Sequence, residues 1–378
     1  MTSTDAMRLV ATAAVPAGHP AAAATLAQAL GPGPFAVVIL FVSPLADIHR
    51  LAAEADFGGA AVIGCTTAGE ISAQGYTEGE IVAVGLSAAH FAADPILIPD
   101  LQELAAVDLI GGLIRARQGL ARVRPDWEHE FAFLLVDGLS TREDELTSAL
   151  ASGLGPVPLF GGSAGDGTRF KETFILHRGQ VLRNAAVVTM LRSNCRVKVF
   201  NLDHLTPTGQ RMVVTEADPA RRIVRRINAE PAAREYARLL GKDPAQLTTF
   251  TFAAHPVVVR IGGKHHVRAI QQVAENGDLV FFSAIDEGLV LSLAEPSDMV
   301  AHLERELGAL GQPEAILACD CILRRMEAQE KQKAGAVSAL LRRFGVVGFS
   351  TYGEQMNSMH VNQTMTGVAI YPPEGTRG

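Results

Sequence analysis

Three short segments combine a hydroxyl side chain, a glycine and a carboxylate at fixed spacing: Thr67-Ala68-Gly69-Glu70, Ser163-Ala164-Gly165-Asp166 and Thr351-Tyr352-Gly353-Glu354. A carboxylate closing such a turn has two uses. It can accept hydrogen bonds from nearby backbone N–H groups and hold the loop shut. It can also face a pocket and bind the ammonium or hydroxyl of a ligand, with an arginine such as Arg324 as a charge-assisted partner. The densest polar set lies near the C-terminus, in ACDCILRR and GFSTYGEQMNSMHVNQT. There His360 stands among Asn362, Gln363 and Thr364. A loop held by two strands can aim its imidazole and hydrogen-bond the second nitrogen, as a haem axial ligand requires. His204, in NLDHLTPTG, is the second such histidine, and His265-His266, beside a glycine turn, reads as solvated. Alternation along a strand at 315–323 places Cys319, Cys321 and Leu323 on one face and Asp320, Ile322 and Arg324 on the other. Cys319 and Cys321 offer two thiolates that need further ligands, Cys65 for example, to complete a tetrahedral metal site. The other reading of the pair is inert and buried.

The elements that must position these groups alternate between strand and helix, the mark of an α/β fold. A helix over 21–30 is closed by Gly31-Pro32-Gly33-Pro34, and buried strands follow at 35–42 and 60–63. The first and third turns align further, AVIGCTTAGEI against GVVGFSTYGEQ, and each runs through a polar loop into a second strand, IVAVGLS or MTGVAIY. A duplicated strand-turn-strand unit follows, with the three acids at equivalent ends of the turns. A helix over 101–120 precedes a strand at 131–136. Ser140 with Glu143 predicts a capping box for the next helix, and strands at 172–176 and 185–191 pair around Arg178-Gly179. Farther on, a strand at 222–227 precedes a helix started by Pro231 and stopped by Gly241. Ser297 caps a helix to 307, and one long helix spans 326–344. The pattern resets near residue 215, which divides the chain into an extension (1–34), a first domain (35–215) and a second (216–378). The expected architecture has two parts, with mixed sheets, helices packed on them and internally repeated strand-turn-strand units.

Composition narrows the function classes. Of 378 residues, 48% are hydrophobic, enough for a large core, and the net charge of −7 argues against nucleic acid or an anionic membrane as partner. The basic run RRIVRR (Arg221–Arg226) alternates with apolar residues like a strand edge. No apolar run is long enough to span a bilayer and no secretory leader stands at the start, so a cytoplasmic location is expected. The four cysteines agree with a reducing compartment. G-x-S-x-G, the P-loop, H-E-x-x-H and G-x-G-x-x-G are all missing, and GGSAGDG lacks the lysine of a phosphate loop. The balance tips from enzyme to binding protein.

GCTTAGEI (Gly64–Ile71), LFGGSAGD (Leu159–Asp166), PAAREYARLLG (Pro231–Gly241), Cys321-x-x-Arg324, Tyr352-Gly353-Glu354 and the H-x-N-x-T run at His360–Thr364 resemble the FIST family, with an N-terminal and a C-terminal FIST part. The resemblance runs from about residue 35 to 370. It implies a signal-transduction sensor that binds a small ligand and regulates a separate histidine kinase or cyclic-di-GMP enzyme. DHLTPTG, CDCILRR and HVNQT resemble the branch described as haem-binding and nitric-oxide-sensing. The pocket implied is lined by Arg324, Tyr352, Glu354, His360, Asn362 and Thr364, with His360 or His204 as axial ligand if haem binds. The alternative is a haem-free sensor of an amino acid or similar metabolite, Arg324 taking its carboxylate and Glu354 its ammonium.

Overall fold

The computed structural model describes residues 8–373 other than Gly262. One unit is built three times, each with an edge strand, helix, strand, helix, parallel strand, swapped hairpin and returning strand. The first unit is β1 (Val10–Pro16), α1 (Ala22–Leu30), β2 (Phe35–Val42), α2 (Ile48–Glu54), β3 (Ala61–Thr66), the hairpin β4 (Glu70–Ser72) and β5 (Gly75–Thr77), and β6 (Glu80–Ser87). The second is β7 (Phe91–Ile98), α3 (Ala106–Val123), β8 (His129–Val136), α4 (Glu143–Leu154), β9 (Leu159–Ser163), the hairpin β10 (Ile175–His177) and β11 (Gln180–Leu182), and β12 (Ala186–Ser193).

The third unit opens with β13 (Val197–Leu202) and is then interrupted. The insert comprises β14 (Leu205–Asp218), β15 (Ile223–Ile227), β16 (Glu230–Pro231), α5 (Ala232–Leu240), α6 (Thr249–Ala254), β17 (Val257–Ile261), β18 (Lys264–Arg268), β19 (Ile270–Val273), β20 (Leu279–Phe281) and β21 (Val290–Pro296). These strands form an eight-stranded sheet of their own. The unit resumes with α7 (Met299–Gly308), β22 (Ala315–Cys321), α8 (Ile322–Glu330), α9 (Ala334–Arg343), β23 (Val346–Thr351), the hairpin β24 (Glu354–Met356) and β25 (Met359–Val361), and β26 (Met365–Ile370).

Each six-stranded sheet is completed by a neighbour's hairpin. The orders are β1-β6-β2-β3-β10-β11, β7-β12-β8-β9-β24-β25 and β13-β26-β22-β23-β4-β5. The hairpin of unit 1 therefore extends the sheet of unit 3, that of unit 2 extends unit 1, and that of unit 3 extends unit 2. Central strands such as FAVVILFV read as unbroken apolar runs because both of their faces are covered. One face of all three sheets meets in a shared core, where Phe41 stacks on Phe349 (4.7 Å) and Phe133 packs on Phe160 (4.9 Å). The other faces carry the helices: α1 and α2 cover Val38 and Leu40, α3 and α4 cover Leu134 and Val136, and α7 and α9 cover Ile316 and Ala318.

The α/β class and the mixed sheets agree with the sequence, and several local expectations do not. The duplication is a triplication, and the boundary near residue 215 falls inside β14. The strand expected over 315–323 stops at Cys321, and Ile322 begins a helix. The single helix over 326–344 is two, broken where Gln332 adopts a left-handed φ of 56°. Ser140 and Glu143 make no capping box, because Glu143 is drawn into a buried ion pair with Arg222. Asp298 rather than Ser297 caps α7. Arg178-Gly179 does turn a hairpin, but its second strand is β11, and β12 belongs to another sheet. In the RRIVRR run, Arg225 and Arg226 pair with Glu216.

Candidate functional site

The three turns meet near the junction of the units through a cyclic set of backbone bonds. The Ala68 amide donates to the Ser350 carbonyl (2.9 Å), the Gly165 amide to Thr66 (3.0 Å) and the Tyr352 amide to Ser163 (3.2 Å). The cycle fixes the alignment of the units and corrects the one expected from sequence. Ser163 stands where Thr66 and Ser350 stand, one residue earlier than the hydroxyl-x-Gly-acid pattern implies. Glu70 pairs with Phe349, Glu354 with Gly162, and in the remaining unit Ile175 pairs with Cys65. Two of the acids are therefore equivalent, and Asp166 is not the third. Its carboxylate accepts the amides of Phe170, Lys171 and Glu172 (2.8–3.0 Å) and the Tyr352 hydroxyl, which holds the loop before β10 closed.

Glu70 and Glu354 share a hydrogen-bond scheme. Each accepts from the hydroxyl three residues earlier, Thr67 or Thr351, and each accepts at 3.2 Å from the backbone amide ten residues later, Glu80 or Thr364. Burial, opposed by those bonds, pushes Glu70 up to about 7 and Glu354 to about 8. Their surroundings differ. Both residues are fully buried, but at Glu354 the Asp320 carboxylate adds to the upward shift and the Thr364 hydroxyl stands at 2.9 Å. Glu70 lines a cavity of about 570 Å³ between the first turn, α8 and the start of α6, together with Glu78, Thr248, Thr249, Ile322 and Arg325.

Arg325 is the cation of this cavity. Its Nη2 donates to the Thr77 carbonyl (2.9 Å) and pairs with Glu78 (3.1 Å), and its guanidinium lies 4.9 Å from the centre of the Tyr76 ring. The side chain crosses the first turn directly above Gly69, where a Cβ would collide with the guanidinium. The pocket thus places a carboxyl from one unit beside a guanidinium from another, with apolar walls from Ile322, Met326 and Phe250.

The groups expected to line the site are placed otherwise. Arg324 is fully buried, because α8 starts at Ile322 and helical spacing turns it back onto Asp320 (2.7 Å). Its Nη1 donates to His204 Nδ1 (2.8 Å), and since arginine can only donate, His204 is the tautomer whose Nε2–H donates to Glu327 (3.0 Å). Tyr352 packs on Phe170 (4.4 Å) and its hydroxyl serves Asp166 and Gly167. His360 accepts at Nδ1 from Gln355 (3.2 Å) and lies against Gly353, while Asn362 donates to the Tyr352 carbonyl (3.3 Å). Of the expected set, Thr364 alone borders a described cavity, a second one of about 560 Å³.

These placements do not fit haem. Both nitrogens of His204 are engaged, and neither His204 nor His360 lines a described cavity. Burial lowers both imidazoles below their ordinary pKa, so they are neutral core groups. Cys319 and Cys321 are buried thiols pushed well above their usual range by burial, and among the described residues no three His, Cys, Asp or Glu side chains are grouped to hold a metal. Sequence reasoning missed Arg325. The adjacent arginines of ILRR carried the signal, and only a helix beginning at Ile322 sends the first inward and the second to the cavity. No described helix is long and apolar enough to cross a membrane.

Residues 36–230, more than half of the chain, match the FIST N domain, and residues 232–357 match the FIST C domain. No curated relative matches the chain.

Proposed function

The chain belongs to the FIST family, whose domains sense small ligands in signalling proteins, and from that premise we propose that its ligand binds in the cavity between the first turn and α8. The observation that carries the reading is the meeting of Glu70 and Arg325 in one partly apolar pocket. A zwitterionic metabolite of amino-acid type satisfies both groups: Arg325 takes its carboxylate, Glu70 or Glu78 its ammonium, and the apolar wall its side chain. This is the arrangement expected of Arg324 and Glu354, moved by one residue in α8 and by one unit in the repeat. The protein acts as a binder, not a catalyst, and its output runs to a separate histidine kinase or cyclic-di-GMP enzyme. A ligand bridging β4–β5 of one unit and α8 of another changes the balance between them, as a sensor requires.

The finer reading, haem with nitric oxide as the signal, draws its support from the resemblance of CDCILRR and HVNQT. One experiment separates the two. Purified protein is examined by thermal shift against a panel of amino acids and dicarboxylates, and by visible spectroscopy after incubation with haem. A stabilising amino acid whose effect is lost in Arg325→Gln supports the cavity. A stoichiometric Soret band that shifts with nitric oxide, with no amino-acid effect, overturns it.

A further inference from the structure

The second cavity, of about 560 Å³, lies on the far side of the third hairpin and is unused by the proposed function. It is bordered by Met356, Met359, His265 and His266. Met356 and Met359 are direct cross-strand partners in β24–β25, on either side of a tight turn in which Asn357 takes a left-handed φ of 53°. Cross-strand partners project from the same face of a hairpin with Cβ atoms roughly 4.5–5.5 Å apart. The two thioethers are therefore held side by side, and neither is in the core, Met359 being 38% exposed. His360, next along the strand, points the opposite way and is buried.

The hairpin is a fixed platform. The Asn357 amide donates to the Leu159 carbonyl (2.9 Å), the Leu159 amide donates to the Asn357 side chain (3.2 Å), and Met356 pairs in register with Phe160. Opposite it, β18 presents His265 on the same face as Val267. Val267 is buried in the core and borders the same cavity, so His265 stands at the cavity rim with an exposed imidazole.

Two thioethers are soft donors that select monovalent copper over magnesium or calcium and, as the majority of the set, over zinc, and a borderline imidazole also suits copper. We propose that Met356, Met359 and His265 form a binding site for Cu(I), formed where the third hairpin meets β18 of the insert. His266 borders the same space. The site is independent of the Glu70–Arg325 cavity, which is built from the first hairpin.

The test uses the full chain with 13C-methyl-labelled methionine, titrated anaerobically with Cu(I) buffered by a chromophoric chelator, and with Ag(I) as a redox-inert substitute. The expected result is one equivalent of metal that shifts the methyl signals of Met356 and Met359 selectively. In Met356→Leu/Met359→Leu the chelator keeps the metal, and His265→Asn weakens binding by at least about tenfold. The methyl signals also separate this site from the four buried cysteines. Metal uptake that leaves both signals unmoved, uptake unchanged in the double leucine variant, or no competition with the chelator would each overturn the assignment. The leucine variant is checked by its methyl spectrum and melting temperature. Should it fail to fold, Met359→Leu alone, at the exposed position, serves the same purpose.

Discussion

The first and third turns are one structure in two settings. Glu70 and Glu354 have the same pair of donors, a threonine hydroxyl and a distant amide, and each follows a glycine crossed by a neighbouring side chain: Arg325 over Gly69, His360 over Gly353. What differs is the residue before that glycine. Ala68 leaves space that opens into the cavity, whereas Tyr352 fills the space with a ring packed between Phe170 and Phe282 and a hydroxyl bound to Asp166. A hydrogen-bonded carboxyl at a turn is therefore a property of the fold, and its use for binding depends on whether the neighbouring side chain seals it.

Breaking the sealed turn has the largest expected effect. Tyr352→Ala removes a buried ring and strands Asp166, and should cost about 3–5 kcal/mol of stability in urea unfolding. A loss of about 1 kcal/mol or less would mean that the third turn is not sealed as described. Arg324 against Arg325 comes next. Arg324→Met leaves Asp320 buried without its cation and should cost about 3–5 kcal/mol, whereas Arg325→Met should cost about 1–2 kcal/mol while abolishing ligand binding. The reverse ranking, from the same unfolding curves and a binding assay, would exchange the structural and functional roles.

The two carboxyls give the subtler contrast. Burial raises the native pKa of Glu354 to about 8 and that of Glu70 to about 7 from a common starting value of 4.5. The native protein then holds more protons than the unfolded chain above pH 4.5, and stability falls as pH rises until each native pKa is passed. Glu354→Gln should flatten this decline up to about pH 8 and Glu70→Gln only up to about pH 7, read from urea midpoints across that range. A wild-type midpoint that rises between pH 5 and 8 would contradict both shifts. Ala68→Tyr should seal the first turn as Tyr352 seals the third, removing ligand binding with a stability change of about 1–3 kcal/mol.

Much of this contrast was legible in the residues. Apolar runs such as FAVVILFV mark buried strands, Pro231 and Gly241 bracket a helix, and the recurrent turn reveals the repeat. The second copy is misaligned by one residue because Ser163-x-Gly165-Asp166 imitates the pattern, and only the backbone bonds between turns reveal the shift. The hairpin exchange between sheets was invisible for a similar reason: local sequence sets a hairpin, but long-range packing decides which sheet receives it. The site set named Glu354 and Arg324 because polar residues are densest near the C-terminus. That density belongs to a sealed junction, and the cavity-lining pair, Glu70 and Arg325, lies 255 residues apart in sequence.

The most direct test of the ligand cavity is calorimetric titration of the best-stabilising amino acid from the panel into wild type, Arg325→Gln and Glu354→Gln. Saturable binding in wild type and Glu354→Gln, with no measurable heat in Arg325→Gln, is the predicted result. Binding retained in Arg325→Gln, or lost only in Glu354→Gln, would return the site to the third turn and contradict the account.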